Sequence, residues 1–196
     1  MTVDGLRNDL REIAQAAEWH ASNFMYDFEP DQETLADAIA DFMAVYCQTG
    51  ALFAADWYNS QDRESRYFAK PVMVVPPQRA EDTAAWVFKR DADIDKLAKR
   101  MASAAYSMVY DAARDTVSAN ATNEQVAYVR VEEPGACQDC MSKATAVPRA
   151  RNSSSDDVSW ERHQRCEFLF QPVRRGIWTP PAHHIEWRDK QRAGAI

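Results

Sequence analysis

Four residues stand at spacings that could hold a metal ion. Cys137-Gln138-Asp139-Cys140 is followed, after 22 residues, by His163-Gln164-Arg165-Cys166. A Cys-x-x-Cys turn sets two thiols on one tight knuckle. His-x-x-Cys adds an imidazole and a third thiol from a second knuckle. Three thiolates and one imidazole form a donor set that suits tetrahedral zinc in a structural site. Pro134-Gly135 just ahead of Cys137 is a turn signal that lets backbone wrap the first knuckle. A plainer reading stands beside this one, with Cys137 and Cys140 as small buried side chains and His163 as their polar neighbour. A thioredoxin-like dithiol fits less well, because no βαβ setting surrounds the motif.

Other residues could carry other chemistry. Ser153, Ser154 and Ser155 are candidate nucleophiles, with His163 as base and Asp156 or Asp157 to orient it. A serine run in a polar loop is more often simply solvated, and neither Gly-x-Ser-x-Gly nor His-Glu-x-x-His occurs. Arg149, Arg151, Arg162 and Arg165 flank the cysteine–histidine set and could meet phosphate, as in a zinc-ribbon-like adaptor. His183-His184 could ligate metal, and Trp178 and Trp187 could anchor on a partner surface.

The elements that must position these residues read as helices first and strands second. Leu6, Leu10, Ile13, Ala17, Ala21, Phe24 and Phe28 recur every three or four residues and predict a helix ending near Pro30. Asp31 is the expected N-cap of a second helix, striped by Leu35, Ile39, Phe42, Tyr46, Phe53 and Trp57 and running to about Tyr58. Gly50, Ala51, Ala54 and Ala55 make a small-residue patch for close helix approach, and Cys47 is expected in a core. Prolines 71, 76 and 77 predict a short extended segment over 68–78, before a short helix over 83–89. A third long stripe runs from Ile94 to about Val117. Residues 125–132 read as a strand, and Phe168-Leu169-Phe170 as a second that pairs with it and stops at Pro172.

The fold class expected is therefore mainly α: a helical region over 1–120, a small α+β unit over 121–173 carrying the Cys/His cluster, and an extended arm over 174–196. A unit of that size buries little apolar area alone and gains from a metal staple.

Composition narrows the function classes. Only 5 glycines argue against a Rossmann fold or a P-loop, and neither glycine-rich phosphate motif occurs. Charges interrupt every early apolar run, so no signal peptide is expected, and no run is expected to reach the ~20 apolar residues of a membrane span. The expected setting is a cytosol, with no membrane partner. Residues 1–50 hold ten acidic and two basic side chains, whereas 148–196 hold six acidic and nine basic. The first part should be repelled by nucleic acid, and the second could touch an acidic partner.

Two stretches together resemble a known family. One is Ala54-Ala55-Asp56-Trp57-Tyr58 with Asn59-Ser60-Gln61-Asp62-Arg63. The other is Tyr128-Val129-Arg130-Val131, Pro134-Gly135, Cys137 and Cys140, His163 and Cys166, and Pro172-Val173. This order is similar to the MuF-like minor capsid, or head morphogenesis, proteins of tailed phages of actinobacteria. Some relatives carry the label of capsid maturation protease. The resemblance implies a low-copy virion protein inside the head near the portal, assembled in the host cytoplasm. Its implied partner is the portal or the major capsid or scaffold protein, and packaged DNA could be reached by the basic C-terminal part. It does not itself imply an enzyme; a protease that trims head or scaffold proteins is the alternative. The chain departs from the family pattern at Phe168, where a further cysteine is usual, and over Ser142–Ala146.

Overall fold

A computed structural model of the chain describes residues 2–62, 64–72, 75, 77–89, 93–144, 167–173 and 178–193. Three long helices dominate it: α1 (Val3–Phe28), α2 (Gln32–Ser60) and α4 (Ile94–Glu124). Each starts where a short polar side chain satisfies orphan backbone N–H groups. Thr2 accepts from the Gly5 amide at 3.1 Å, Asp31 from Thr34 at 2.8 Å, and Asp93 from Lys96 at 3.0 Å.

α4 is the central post, against which α1, α2, the short helix α3 (Pro77–Val87) and the sheet all pack. From Ala105 to Ala113 nearly every residue of α4 is buried, as expected of a helix covered all round. α1 offers Leu6, Leu10, Ala14, Ala17, Ala21 and Met25, a stripe at helical spacing. α2 buries Leu35, Ile39, Met43, Cys47, Gly50, Ala51, Ala54 and Trp57, whereas Phe53 is partly exposed. By length and composition α2 would pass for a membrane span, contrary to the expectation above; burial of one face in this core accounts for that composition.

The small-residue patch does what its sequence suggests. A Cβ on Gly50 would lie 3.1 Å from both Cγ1 and the carbonyl oxygen of Val109. Glycine therefore sets how closely α2 approaches α4. Cys47 sits one turn away, buried, its thiol donating to the Met108 carbonyl at 3.6 Å.

The short helix α3 spans Pro77–Val87, starting well before the expected residue 83. Proline excludes a helix interior but not its first turn, where its missing N–H has no helical partner to lose. Ala80, Ala84 and Val87 give α3 its buried face. The segment ahead of it is held by side chains rather than by a strand among the described residues. Asn59 accepts from the Ala69 amide, Asn120 bonds both the Lys70 amide and carbonyl, and Thr116 accepts from the Val72 amide. Backbone groups beside a core need partners of this kind.

Strands β1 (Ala127–Val131) and β2 (Leu169–Val173) pair antiparallel, with Val131 opposite Leu169 and Tyr128 opposite Pro172. β2 runs one residue past Pro172, which is tolerated because both strands of a two-stranded sheet are edges. One face of the sheet sends Tyr128, Phe168 and Phe170 into the core that α1, α2 and α4 share. The other face, Val129, Val131 and Val173, is covered by Val3 and Trp178. Residues on both sides of position 120 thus share one buried cluster.

A one-turn helix, α5 (Gln138–Ser142), follows β1, and α6 (Ala182–Arg192) lies in the tail. The expectation of an extended arm over 174–196 is corrected there: Pro180-Pro181 precede the helix and do not prevent it. Trp178, expected to seek a partner, packs on the sheet instead.

Candidate functional site

Buried charge gathers at one end of the sheet, where β1 leaves and β2 enters. Arg7 on α1 is buried and donates through Nε to the Glu167 carbonyl at 3.1 Å. Its Nη2 donates to the carbonyls of Val131 at 3.3 Å and Glu132 at 3.2 Å. One guanidinium thus ties both strand ends to the first turns of α1, and Asp4 pairs with it. Arg11, one turn on, pairs with the Glu167 carboxylate, to which the Tyr106 hydroxyl also donates.

Phe168 sits between two cations. The Arg114 guanidinium carbon lies 3.8 Å from its ring centroid and that of Arg130 lies 3.6 Å away. Both arginines are fully buried, where cation–π attraction is least screened. Arg114 is paired with Asp111 at 2.5 Å, and Arg130 with Glu132. Asp111 also meets Arg79 of α3. The charges are thus compensated, which buried charge requires.

Two histidines fasten α6 to the same end. The Glu132 amide donates to His184 Nε2 at 3.2 Å, and His183 Nε2 lies 3.0 Å from the Glu132 carbonyl oxygen as its donor. His183-His184, read from sequence as candidate metal ligands, clasp the backbone of one residue.

Burial and neighbours shift the titrations here. Burial pushes the Tyr106 hydroxyl up to about 12, assisted by its bond to the Glu167 carboxylate. Burial also pushes Glu167 up, but hydrogen bonds from Arg11 and Tyr106 outweigh it and hold that carboxyl below its usual range. Glu132 is raised, burial outweighing Arg130. Burial, with His183 and Arg188 nearby, lowers His184 to about 4, so it stays neutral and keeps accepting. Burial raises Cys47 to about 11, which leaves a protonated core thiol rather than a nucleophile.

The first knuckle hangs from this junction. Cys137 caps α5, its Sγ accepting from the Cys140 amide at 3.5 Å, with Cys137 exposed and Cys140 buried. The register Val131↔Leu169 sends the segments bearing the two knuckles off from the same end of the sheet. His163 and Cys166 lie outside the described residues, as do Ser153 to Ser155, Asp156, Asp157 and the four arginines around them. Among the described residues, no group of three or more His, Cys, Asp or Glu is placed to hold a metal.

A sequence-family model described as VG15 protein matches residues 2–191, nearly the whole chain. The chain belongs to the VG15 family. It is a phage protein family, so this is a viral protein. No curated protein and no solved structure matches the chain.

The VG15 match covers the arginines that sequence reading passed over. Arg7, Arg114 and Arg130 look like surface residues by type. Their positions say otherwise: Arg7 is three residues before Leu10 and seven before Ala14, on the buried stripe. Arg114 follows Tyr110 by four and precedes Val117 by three. Arg130 alternates with Tyr128 on the inward face of β1. What the junction can do is hold: Arg7, Arg114 and Arg130 are buried and paired, and they tie α1, α4 and the strand ends together.

Proposed function

We propose that this VG15 protein is a minor component of the phage head, acting in head morphogenesis from inside the shell near the portal. The observation that carries the reading is the phage family match over residues 2–191. The motif order from Ala54 through Val173, similar to MuF-like head proteins, gives that match its direction. Its partner is the portal or the major capsid or scaffold protein, and the basic C-terminal part contacts packaged DNA. Cys137, Cys140, His163 and Cys166 hold a structural zinc that fixes the loop between the strands. The strand register supports that set, because it starts both knuckle segments from one place. Zinc there would supply folding free energy to the segment that joins the strands.

An amber mutation in the gene, grown without a suppressor and viewed by electron microscopy, tests the role. Aberrant or empty heads with normal tails are expected. A full yield of normal, filled heads would overturn it.

A further inference from the structure

The far end of the α1–α2 hairpin carries an apolar groove whose lining includes two carboxylates and His20. Phe24, Phe28 and Phe42 form its floor, with ring centroids 5.1 Å apart for Phe24–Phe28 and 5.9 Å for Phe24–Phe42. Phe28 is 70% exposed, far more than packing within the hairpin requires. The groove encloses about 460 Å³, and Asp27 and Asp41 line it from opposite helices. Between residues 12 and 62 the chain holds ten carboxylates and no lysine or arginine. Lys99 of α4 lines a separate groove with Trp19 and is not among the residues that line this one.

We propose that this groove docks a basic amphipathic segment of a partner protein, an apolar side chain resting on the phenylalanines and a flanking Lys or Arg paired with Asp27 and Asp41. Charge complementarity selects that occupant. An anionic membrane surface or a nucleic acid is repelled by the rim, and an acidic helix would meet like charge. An exposed aromatic cluster in a groove is the usual anchor for a helix laid on it, and a guanidinium or ammonium gains from the ring faces as well as from the carboxylates. The inference goes beyond the head reading and does not depend on it.

The test uses the full chain and two labelled amphipathic helical peptides, identical in their leucines but carrying lysine in one and glutamate in the other. Fluorescence anisotropy should show the lysine peptide binding at least about tenfold more tightly. Phe28→Ala should weaken it about tenfold, and Asp27→Asn with Asp41→Asn should weaken it and flatten its salt dependence. Phe68→Ala, at an exposed phenylalanine elsewhere, should change nothing. Circular dichroism of each variant confirms that the helices persist. Equal binding of the two peptides, binding of neither, or binding untouched by Phe28→Ala in a folded variant would overturn the proposal. So would a dimer, seen by light scattering, that Phe28→Ala dissolves, because the occupant would then be a second copy of this chain.

Discussion

Arg114 holds Phe168 twice: its Nε donates to the Phe168 carbonyl at 2.9 Å while its guanidinium carbon lies 3.8 Å from the centre of the same ring. The central helix is thereby pinned to the residue that leads into β2. Only a planar, forked cation can bond in its plane and stack on its face at once. Arg114→Lys should therefore cost about 2–3 kcal/mol, and Arg114→Ala about 3–5 kcal/mol, since it also leaves Phe168 and Asp111 each short of a buried partner. Urea unfolding followed by circular dichroism measures both. A loss below about 1 kcal/mol for the alanine variant would mean the buried pair is dispensable.

The approach of α2 to α4 gives a second prediction. Alanine would normally gain about 1 kcal/mol over glycine in a helix interior. At Gly50 the new carbon would meet the Val109 carbonyl oxygen at 3.1 Å, and a helix backbone cannot swing aside as a side chain can. Gly50→Ala should lower stability by about 1 kcal/mol net, and Gly50→Val by roughly 3 kcal/mol. Thermal unfolding of the two variants in order would show it; a stabilised Gly50→Ala would mean the helices can part without loss.

The His184 clasp makes stability depend on pH. Its imidazole titrates near 4 when folded, against about 6.5 when unfolded. A histidine whose folded value is lowered contributes stability that is full above 6.5 and is lost as pH falls toward 4. The full loss, reached below the folded value, is on the order of 3 kcal/mol. His183, Arg188 and Arg7 all disfavour the added charge. Glu132 works the other way: its folded value is raised, so protonating it as pH falls returns some stability. His184→Gln keeps an acceptor without a titration, and its urea midpoint should change less between pH 7 and pH 5 than that of the parent chain. Identical slopes would remove His184 as the cause.

Much of the helical framework was legible because it is local. Asp31 capping α2, the shared positions Leu6, Leu10, Ala17 and Ala21 of the α1 stripe and the Gly50 patch all declare themselves within a few residues, whereas Phe28, expected on that stripe, is exposed. The strands were legible too, from their β-branched and aromatic content and from a common position beside a knuckle. The junction was not, because its partners are remote: Arg7 meets a carbonyl 160 residues away, and His184 meets an amide 52 residues away. No periodicity reports such a pairing. Helix α6 was missed for a different reason. Thr179-Pro180-Pro181 read as an interruption, although proline ahead of a first turn is compatible with a helix, and the histidines' partner is the remote Glu132, just past β1. Phe168, read in sequence as part of a strand and as a departure from the MuF-like pattern, is the ring that two buried arginines enclose.

The cysteine–histidine set leads to a metal prediction. Elemental analysis of purified chain should give about one zinc per molecule, and Cys137→Ser or Cys140→Ser should abolish it. The variants should also show faster proteolysis in the loop after α5, where the metal would have fixed the chain. A metal-free chain whose proteolysis matches that of the variants would remove the staple and leave the plainer reading of these thiols.

Quantitative mass spectrometry of purified proheads and mature virions tests the head assignment most directly. Peptides of this chain should be present in one or both at low copy relative to the major shell protein. Their absence from both particles, with the protein present in the infected cell, would contradict a place in the head.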